Sequence, residues 1–260
     1  MQQFKTILYV LLIGLSCFNL SQGQTTLKPI LLNKAALSGI GLEKVVLEQE
    51  PDREFFQRRV LRGNDISVYI VSSQSWTTRM ENFAIDEVVY MLNGKALITP
   101  EKGDDLEFQS NEFFFIPKGY TGSWEIQTGD NYHYELSVIA TQRVSSINSS
   151  NVTPRLLEKN KLSGLDIKLD SAGSSETILR RGIELTVALK AERPQETTFS
   201  NPIQEQLIHV LSGQVIVTDT QDATYTFHTG DFFIIPKGFT GKWKSQGHGL
   251  FKSLVVQKTT

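Results

Sequence analysis

The sequence contains two carboxylates, Glu81 and Glu87, that are spaced so that both could act on one ligand. They lie six positions apart in a segment predicted to be a single β-strand, and side chains at even spacing share one face of a strand. Such a pair could bind a hard cation or exchange a proton with a ligand. A transition metal needs three or four converging ligands, so the pair alone does not predict such a site.

The composition excludes several classes of function. The chain has 260 residues with 26 basic and 28 acidic side chains, hence a net charge of −2 and no basic excess for nucleic acid. Its single cysteine excludes an intrachain disulfide framework. Neither a Ser–His–Asp order nor a phosphate-cradling or dinucleotide-binding glycine pattern occurs, so triad hydrolysis and nucleotide chemistry are not predicted.

Residues 1–23 have the pattern of a secretory signal peptide, with Lys5, an apolar run from Ile7 to Leu15 and small residues before Gln24. We expect cleavage before Gln24 and export to the periplasm or the outside, without membrane attachment afterwards. Two alternatives stay open. One is a membrane anchor, for which the run is short of the ~20 residues required; the other is lipid attachment at Cys17. After cleavage the chain has no cysteine and therefore no thiol chemistry.

The chain contains an internal repeat. Nine of the twelve residues at Phe113–Trp124 recur at Phe232–Trp243, an offset of 119. Seven of the eleven residues at Pro29–Gly39 recur at Pro154–Gly164, an offset of 125. Both matches occur in the same order, which indicates a tandem duplication with six extra residues in the first half, between Gly39 and Val60.

The repeat predicts the domain organisation. The signal peptide, residues 1–23, precedes a first domain at 24–142 and a second at 154–260. The polar stretch between them, residues 143–153, is typical of a linker.

Each half is predicted to consist of short β-strands. Ile66–Val71 and Leu185–Leu189 are rich in β-branched and apolar residues, as are Val88–Leu92 and Ala96–Thr99. Asn93-Gly94 between the last two predicts a hairpin, because both residues tolerate positive φ. No segment after the leader has sustained helical periodicity, so the pattern favours an all-β sandwich or barrel.

These motifs resemble those of the cupins. Gly230–Gly238 has the Gly-Asp, apolar strand and Pro-x-Gly of the second cupin motif, and Glu87–Gly94 resembles the end of the first. The strings Pro117–Trp124 and Pro236–Trp243 are similar to the subgroup of ureidoglycine aminohydrolase-like and ethanolamine-utilisation cupins. The resemblance covers residues 28–257 and implies a bicupin with two tandem jelly-roll β-barrels.

The resemblance also identifies where a cupin metal site would be. Metal-binding cupins use His-x-His-x3-Glu in the first motif and one histidine in the second. The glutamate is present as Glu87 and replaced by Gln206 in the second half. The six histidine positions fall on Glu81, Phe83, Gly122, Ser200, Pro202 and Gly241. We therefore expect no metal and no cofactor, and the second barrel departs from the Glu-x-His of the aminohydrolase-like enzymes.

The aligned positions supply the candidate site residues. Glu87 should point into the first barrel, where burial would raise its pKa and allow an acid, base or ligand-binding role. The alternative is a carboxylate bonded to a neighbouring strand, Arg62 or Arg79. Further binding candidates share the inward positions of the two barrels: Glu81 at the mouth, Phe83, Trp124, Gln206 and Trp243. The two tryptophans are interpreted as core residues, with an aromatic platform for a sugar or ring as the alternative.

The remaining notable residues have structural interpretations. His209 has the opposite strand parity to Gln206 and should point away from the barrel interior. We expect solvated histidines at His228 and His248, and a surface or pairing role for His133, although His133 could approach the pocket.

Two further motifs of the repeat are interpreted structurally. We expect Lys118 and Lys237 to be solvated turn residues. The aromatic run Phe113–Phe115 is predicted to lie in a core or between the barrels.

Three functions are consistent with this pattern. The favoured one is an exported cupin that binds a small polar or aromatic ligand without metal. The second is an aminohydrolase-like or isomerase-like enzyme that uses Glu87 with a substitute ligand set. The third is a structural role, as a homo-oligomer or as an intrachain pseudo-dimer of the two halves. A nucleic-acid partner is not expected.

Overall fold

The computed structural model describes residues 27–48, 50–129, 131–145, 152–163, 166–200 and 202–260. The predicted signal peptide and the middle of the predicted linker lie outside these residues. No helix within the described ranges has the length and apolar character needed to cross a bilayer.

The described residues of the first half form eleven strands and one short helix, in this order: β1 (Ile30–Leu31), α1 (Lys34–Leu37), β2 (Glu43–Leu47), β3 (Glu50–Arg62), β4 (Ile66–Ser73), β5 (Trp76–Met80), β6 (Glu87–Asn93), β7 (Lys95–Pro100), β8 (Leu106–Gln109), β9 (Phe113–Ile116), β10 (Gly122–Gln127) and β11 (His133–Ala140).

The second half repeats this order without a counterpart of β2 among its described residues: β12 (Arg155–Leu156), α2 (Lys159–Ser163), β13 (Ser174–Arg181), β14 (Leu185–Glu192), β15 (Glu196–Ser200), β16 (Gln206–Ser212), β17 (Gln214–Asp219), β18 (Thr224–His228), β19 (Phe232–Ile235), β20 (Thr240–Gln246) and β21 (Phe251–Lys258).

Each half forms a large sheet that faces a four-stranded sheet. In the first half the sheets have the orders β12-β9-β6-β11-β4-β3-β2 and β5-β10-β7-β8. In the second half the orders are β1-β19-β16-β21-β14-β13 and β15-β20-β17-β18. The prediction of an all-β chain with two tandem β-domains is confirmed.

The predicted hairpin between β6 and β7 is wrong. β6 lies in the large sheet of the first half and β7 in the four-stranded sheet, so the two strands do not pair with each other. Gly94 occupies the turn between them with φ of 101°, and Gly213 does the same between β16 and β17 with φ of 81°. A residue with a Cβ is strained at such φ, so glycine allows the tight turn that carries the chain from one sheet to the facing sheet.

The two halves exchange their first strands. β1 pairs with β19 of the second half through Ile30↔Ile234, and β12 pairs with β9 of the first half through Arg155↔Phe115. The buried residue after each exchanged strand continues the contact: Leu32 N donates to Phe232 O at 2.8 Å, as Leu157 N does to Phe113 O. The start of each repeat therefore belongs to the sheet of the other half.

Three hydrophobic cores follow from this arrangement. One fills the first barrel, one fills the second, and the third lies between the two large sheets. Side chains on β9 point alternately to the two faces of the strand, so its aromatic residues contribute to two different cores. Phe114 belongs to the first barrel's interior, whereas Phe113 and Phe115 belong to the core between the halves.

His209 also lies in the contact between the halves. Its ring stacks on Phe232 with centroids 4.0 Å apart and approaches Tyr90 and Phe113 of the first half. Burial lowers the pKa of His209 to about 4, so the ring is neutral at ordinary pH. The prediction that it points away from its own barrel interior agrees with this position.

Buried carboxylates also accept hydrogen bonds from backbone N–H groups of the opposite half, in two places related by the repeat. Asp86 accepts from the backbone N of Glu184 and Leu185 at 2.5 and 3.1 Å, and Glu184 accepts from the N of Asp86 at 3.2 Å. At the equivalent place, Asp65 and Glu205 exchange the same kind of bond at 3.0 and 3.4 Å. Because the donors are backbone groups, these hydrogen bonds also fix the position of one half against the other.

One lysine prediction is wrong. Lys118 is only 4% exposed, and its Nζ lies 2.7 Å from Glu184 Oε1. It also donates to the backbone O of Val144. Lys237, its counterpart in the repeat, is exposed as expected. The difference arises because the first-half turn meets a carboxylate of the other half.

The longer first half makes a hairpin that the second half does not repeat in its described residues. β2 pairs with β3 through Glu43↔Gln57, Lys44↔Phe56 and Val45↔Phe55. In the second half, β13 is the last strand of its sheet. The insertion therefore adds a strand at the side of the first barrel.

Candidate functional site

A cavity of about 360 Å³ lies in the first barrel. Its wall is formed by the β2–β3 hairpin, the large sheet, β5 and β10. Most of the lining is apolar and includes Phe55, Val71, Met80, Phe83, Ile85, Trp124, Ile126 and Ile139. The polar and charged residues of its lining are Glu48, Glu50, Arg53, Gln57, Tyr69, Thr78, Arg79, Glu87, Glu135, Ser137 and Arg143. Its volume lies in the range of ~300–1,000 Å³ typical of small-molecule sites.

Glu87 is the first residue of β6 and lies on the cavity wall. Its Oε1 accepts a hydrogen bond from the hydroxyl of Ser137 on the neighbouring strand β11. Burial raises the pKa of Glu87 to about 8, and the nearby charge of Glu135 contributes to this rise, while the Ser137 bond opposes it. The carboxyl therefore holds its proton at neutral pH and can donate it to a ligand.

Glu135 brings a second carboxyl to the same wall. Its side chain is 7% exposed, and its Oε2 has no hydrogen-bond partner among the described residues. His133 Nε2 lies 3.5 Å from that oxygen. The other ring nitrogen, Nδ1, accepts from the backbone N of Ser73 at 2.9 Å. Of the two roles expected for His133, the surface position is wrong and the pairing role agrees with the structure: its ring is buried beside Glu135 and hydrogen-bonded to Ser73.

Sequence reasoning missed Glu135 and Ser137. A signal for them exists, because positions 133, 135, 137 and 139 share one face of β11. The segment lies beyond the gap-free part of the repeat, and neither residue belongs to a cupin motif. Only the pairing of β11 with β6 brings this face beside Glu87.

Glu81 does not lie where the sequence placed it. The structure puts it in an exposed turn between β5 and β6, outside the cavity lining, so it shares neither strand nor face with Glu87. The irregular turn between the strands breaks the period of two on which the prediction depended. Phe83, two residues later, is buried and does line the cavity.

The two tryptophans have different surroundings despite their equivalent positions. Trp124 lines the cavity, packs edge-on to Phe114 at 5.6 Å, and has an indole N–H without a hydrogen-bond partner among the described residues. Trp243 donates its N–H to Glu192 at 2.8 Å and stacks on Phe199. The indole N–H of Trp124 thus makes no hydrogen bond with the described residues, whereas the indole N–H of Trp243 is bonded within its own barrel.

Gln206 lies in the second barrel, apart from the Glu87 cavity. Its side-chain amide donates to Gln257 at 2.9 Å. Register places Ser253 and Val255 where the first barrel has Glu135 and Ser137. The acidic group on the first barrel's wall is therefore neutral in the second.

A second polar network at the cavity, also missed by sequence reasoning, is built on the hairpin. Arg53 donates to Glu50 at 3.0 Å, to Thr78 at 3.1 Å and to Ser73 at 3.4 Å. Thr78 in turn donates to Glu50 at 2.9 Å. These bonds tie the start of β3 to β4 and β5, so the hairpin forms a fixed part of the wall.

The residues present do not fit the metal site of the cupins that the sequence resembles. The described residues contain no cluster of three or more His, Cys, Asp or Glu side chains that could hold an ion. At the second-motif position, a Cβ on Gly122 would collide with the Tyr120 hydroxyl and the Thr99 backbone oxygen. A Cβ on Gly241 would collide with Thr218 O and the ring of Phe239. The second-motif histidine position is thus closed by packing in both halves.

Comparison with solved structures shows the same fold. A protein of unknown function from Pseudomonas syringae pv. tomato is 16% identical, with a TM-score of 0.63 over 89% of this chain and 99% of that chain. A cupin 2 conserved barrel domain protein from Leptotrichia buccalis is 14% identical, with a TM-score of 0.58 over 90% and 97%. Salicylate 1,2-dioxygenase from Pseudaminobacter salicylatoxidans is 10% identical, with a TM-score of 0.60 over 89% and 84%.

No curated protein matches this chain. The EutQ-like cupin domain matches residues 63–134 and 193–253, one segment in each half and together just over half of the chain. The two segments include both motif strings, Pro117–Trp124 and Pro236–Trp243. The chain therefore belongs to the EutQ-like cupin family and carries two cupin domains in tandem.

Proposed function

We propose that the first barrel binds a small organic molecule, and that it does so without the usual cupin metal. The observation that carries this proposal is the cavity with Glu87 on its wall. An apolar lining with a few convergent polar groups is the usual character of a small-molecule site. The second barrel is assigned no ligand, because Gln206 and Trp243 are hydrogen-bonded to their own neighbours.

A thermal-shift screen tests the proposal. Sugars, aromatic alcohols, organic acids and amines are added singly, and a ligand of the folded state raises the melting temperature according to its concentration and affinity. We expect at least one class to do so. Failure of every class at millimolar concentration would contradict the proposal and favour a structural role.

A blocking variant locates the binding. Ala84 lines the cavity and is partly exposed, so Ala84→Trp should fill the opening with little strain and abolish the shift. Ala223→Trp, at an exposed turn of the second half, is the matched control and should leave the shift unchanged. Equal loss in both variants would place the ligand elsewhere.

A second candidate function is catalysis, in the manner of the aminohydrolase-like or isomerase-like cupins. It is favoured by the raised pKa of Glu87, about 8, which suits a general acid at neutral pH. We expect turnover of a bound compound, followed by mass spectrometry, to fall above pH 8 and to drop about 10²-fold or more in Glu87→Gln. Unchanged turnover in that variant would exclude Glu87 as the acid.

We propose further that the chain is exported and loses residues 1–23, on the strength of the leader pattern alone. The intact mass of protein recovered from the producing cells tests this. A chain beginning at Gln24 supports export with cleavage, a mass increased by lipid at Cys17 supports lipid attachment, and an uncleaved chain contradicts both. Membership in the aminohydrolase-like subgroup is likewise a proposal, supported by the two Pro-Lys-Gly strings.

A further inference from the structure

We infer that the ligand of the first barrel is an organic cation, an amine or amidine attached to an aromatic or apolar body, with its positive group held between Glu87 and Glu135. This inference rests on the proposed function that the first barrel binds a small molecule. It adds the chemical class of that molecule.

The first argument is the unused hydrogen-bonding capacity of the acidic wall. Glu135 Oε2 has no hydrogen-bond partner among the described residues, and Ser137 supplies the hydrogen bond to Glu87. Both side chains are acceptors when ionised, so the complementary ligand group is a donor. A buried carboxyl with an open position is stabilised most by a positively charged donor, through charge-assisted hydrogen bonds.

The second argument concerns the arginines around the cavity. Arg53 is bonded through its terminal N–H groups to Glu50, Thr78 and Ser73, and its Nε–H has no hydrogen-bond partner among the described residues. Arg79 donates to Glu101 at 2.6 Å, with both side chains about half exposed. Arg143 is exposed to solvent. A ligand carboxylate would therefore meet the carboxyls of Glu87 and Glu135 and the unpaired Nε–H of Arg53, whereas a cation meets two carboxyls.

The remaining charged and titratable groups leave the acidic character in place. Glu48 and Glu50 of the hairpin add carboxylates to the lining, and Tyr69 of β4 adds a neutral phenol. His133 Nε2 lies 3.5 Å from Glu135 Oε2, beyond hydrogen-bond distance, and His133 is not among the residues that line the cavity.

The third argument is the aromatic lining. Phe55, Tyr69, Phe83 and Trp124 all contribute to the wall. Aromatic faces attract ammonium and guanidinium groups electrostatically, and they also pack against a ligand ring. The same cavity thus offers two carboxyls for a cationic head and aromatic surface for the attached body.

Binding of a cation has a distinctive pH dependence. In the protein without ligand, Glu87 is protonated below about pH 8 because of its burial and the charge of Glu135. A cation favours the ionised form, so binding releases this proton and becomes tighter as pH rises toward 8. A neutral or anionic ligand that accepts a hydrogen bond from protonated Glu87 shows the opposite trend.

The test compares three molecules with one aromatic body and different heads: tryptamine, tryptophol and indole-3-propionate. Isothermal titration of the full chain measures their affinities at pH 7.5. We expect tryptamine to bind about tenfold or more tighter than the alcohol, and the acid to bind weakest, because only the amine satisfies the carboxyls. From pH 6.5 to 8 its affinity should rise about tenfold or more, by proton linkage.

The matched variants are Glu87→Gln and Glu135→Gln, with Glu81→Gln as control. Each of the first two variants should lower the affinity for tryptamine about tenfold, and Glu87→Gln should remove most of the pH dependence of that affinity. Glu81 is exposed and outside the lining, so its variant should behave as wild type. The comparison of tryptamine with the alcohol and the acid uses only wild-type protein, so it tests the inference even if a variant fails to fold.

The outcomes separate this inference from the function on which it rests. Tighter binding of tryptophol or indole-3-propionate would overturn the cation assignment and leave a small-molecule function in place. The same three heads on phenylethyl and benzyl bodies repeat the comparison at smaller size. If none of these compounds binds, and the broader screen also finds no ligand, the proposed function fails together with the inference.

Discussion

Glu87 shows how a single buried carboxyl can couple this fold to pH. Its ordinary pKa is 4.5 and its folded-state pKa is about 8, chiefly because burial penalises the charge. Between these values the unfolded chain has released the proton while the folded chain retains it. The group's contribution to stability is therefore fully present below pH 4.5 and is lost as pH rises toward 8.

We predict that Glu87→Gln stabilises the protein at alkaline pH. A shift of about 3.5 units at ~1.4 kcal/mol each sets an upper scale. Urea unfolding should give a free energy of unfolding about 2–4 kcal/mol higher for the variant at pH 8 and within about 1 kcal/mol of wild type at pH 4.5.

Two observations check this prediction. The side-chain amide oxygen introduced by Glu87→Gln can still accept from the Ser137 hydroxyl, so loss of that bond does not confuse the comparison. Glu81→Gln removes an exposed carboxyl and should change the free energy of unfolding by less than about 0.5 kcal/mol at either pH. An identical effect of Glu87→Gln at pH 4.5 and pH 8 would contradict the raised pKa.

At the scale of elements, the exchanged strands β1 and β12 make short segments important for the whole fold. Each has two residues, too few for independent stability, and each is followed by a buried leucine in the core between the halves. Burial of these leucine side chains therefore stabilises the exchanged strands more than their few hydrogen bonds do.

We predict that Leu32→Ala and Leu157→Ala each lower the free energy of unfolding by about 2–4 kcal/mol, because each opens a cavity in the shared core. Their equivalent positions imply similar losses. Leu31→Ala is the control, since Leu31 is 49% exposed while Leu32 is 3% exposed, and it should cost less than about 1 kcal/mol. Denaturant unfolding measures all three. Equal losses at Leu31 and Leu32 would show that the exchanged ends do not support the core.

At the scale of the whole molecule, the two barrels share a core and buried carboxylates, so they are expected to unfold together. Lys118 and Glu184 join them at a point where Glu184 is fully buried. Removal of the lysine would leave that carboxylate without its charged partner, which is more costly than loss of an exposed ion pair.

We predict that Lys118→Met lowers the free energy of unfolding by about 3–5 kcal/mol, whereas Lys237→Met, at the exposed equivalent turn, changes it by less than about 0.5 kcal/mol. Adding Glu184→Gln to Lys118→Met should restore part of the loss, because the buried charge is then gone. Denaturant unfolding of the wild type, the single variants and the double variant measures this coupling. A double variant whose loss is the sum of the single losses would argue against a coupled pair.

The duplication, the all-β character and the absence of the cupin histidines could all be predicted from the sequence alone. The turn at Asn93-Gly94 could be predicted too, but not that its two strands belong to different sheets. These are local properties: strand period, turn residues and motif spacing are written in consecutive positions. Glu87 and Phe83 were expected on the wall of the first barrel, and both line the cavity.

Only the tertiary structure decided which distant residues meet. Glu135 and Ser137 reach Glu87 through strand pairing across some fifty positions, and Lys118 is buried by a carboxylate from the other half. Glu81 was misplaced because an irregular turn interrupts the period of two. Long-range pairing, exchange of β1 and β12, and the enclosure of a cavity depend on how whole sheets pack, which the local pattern does not encode.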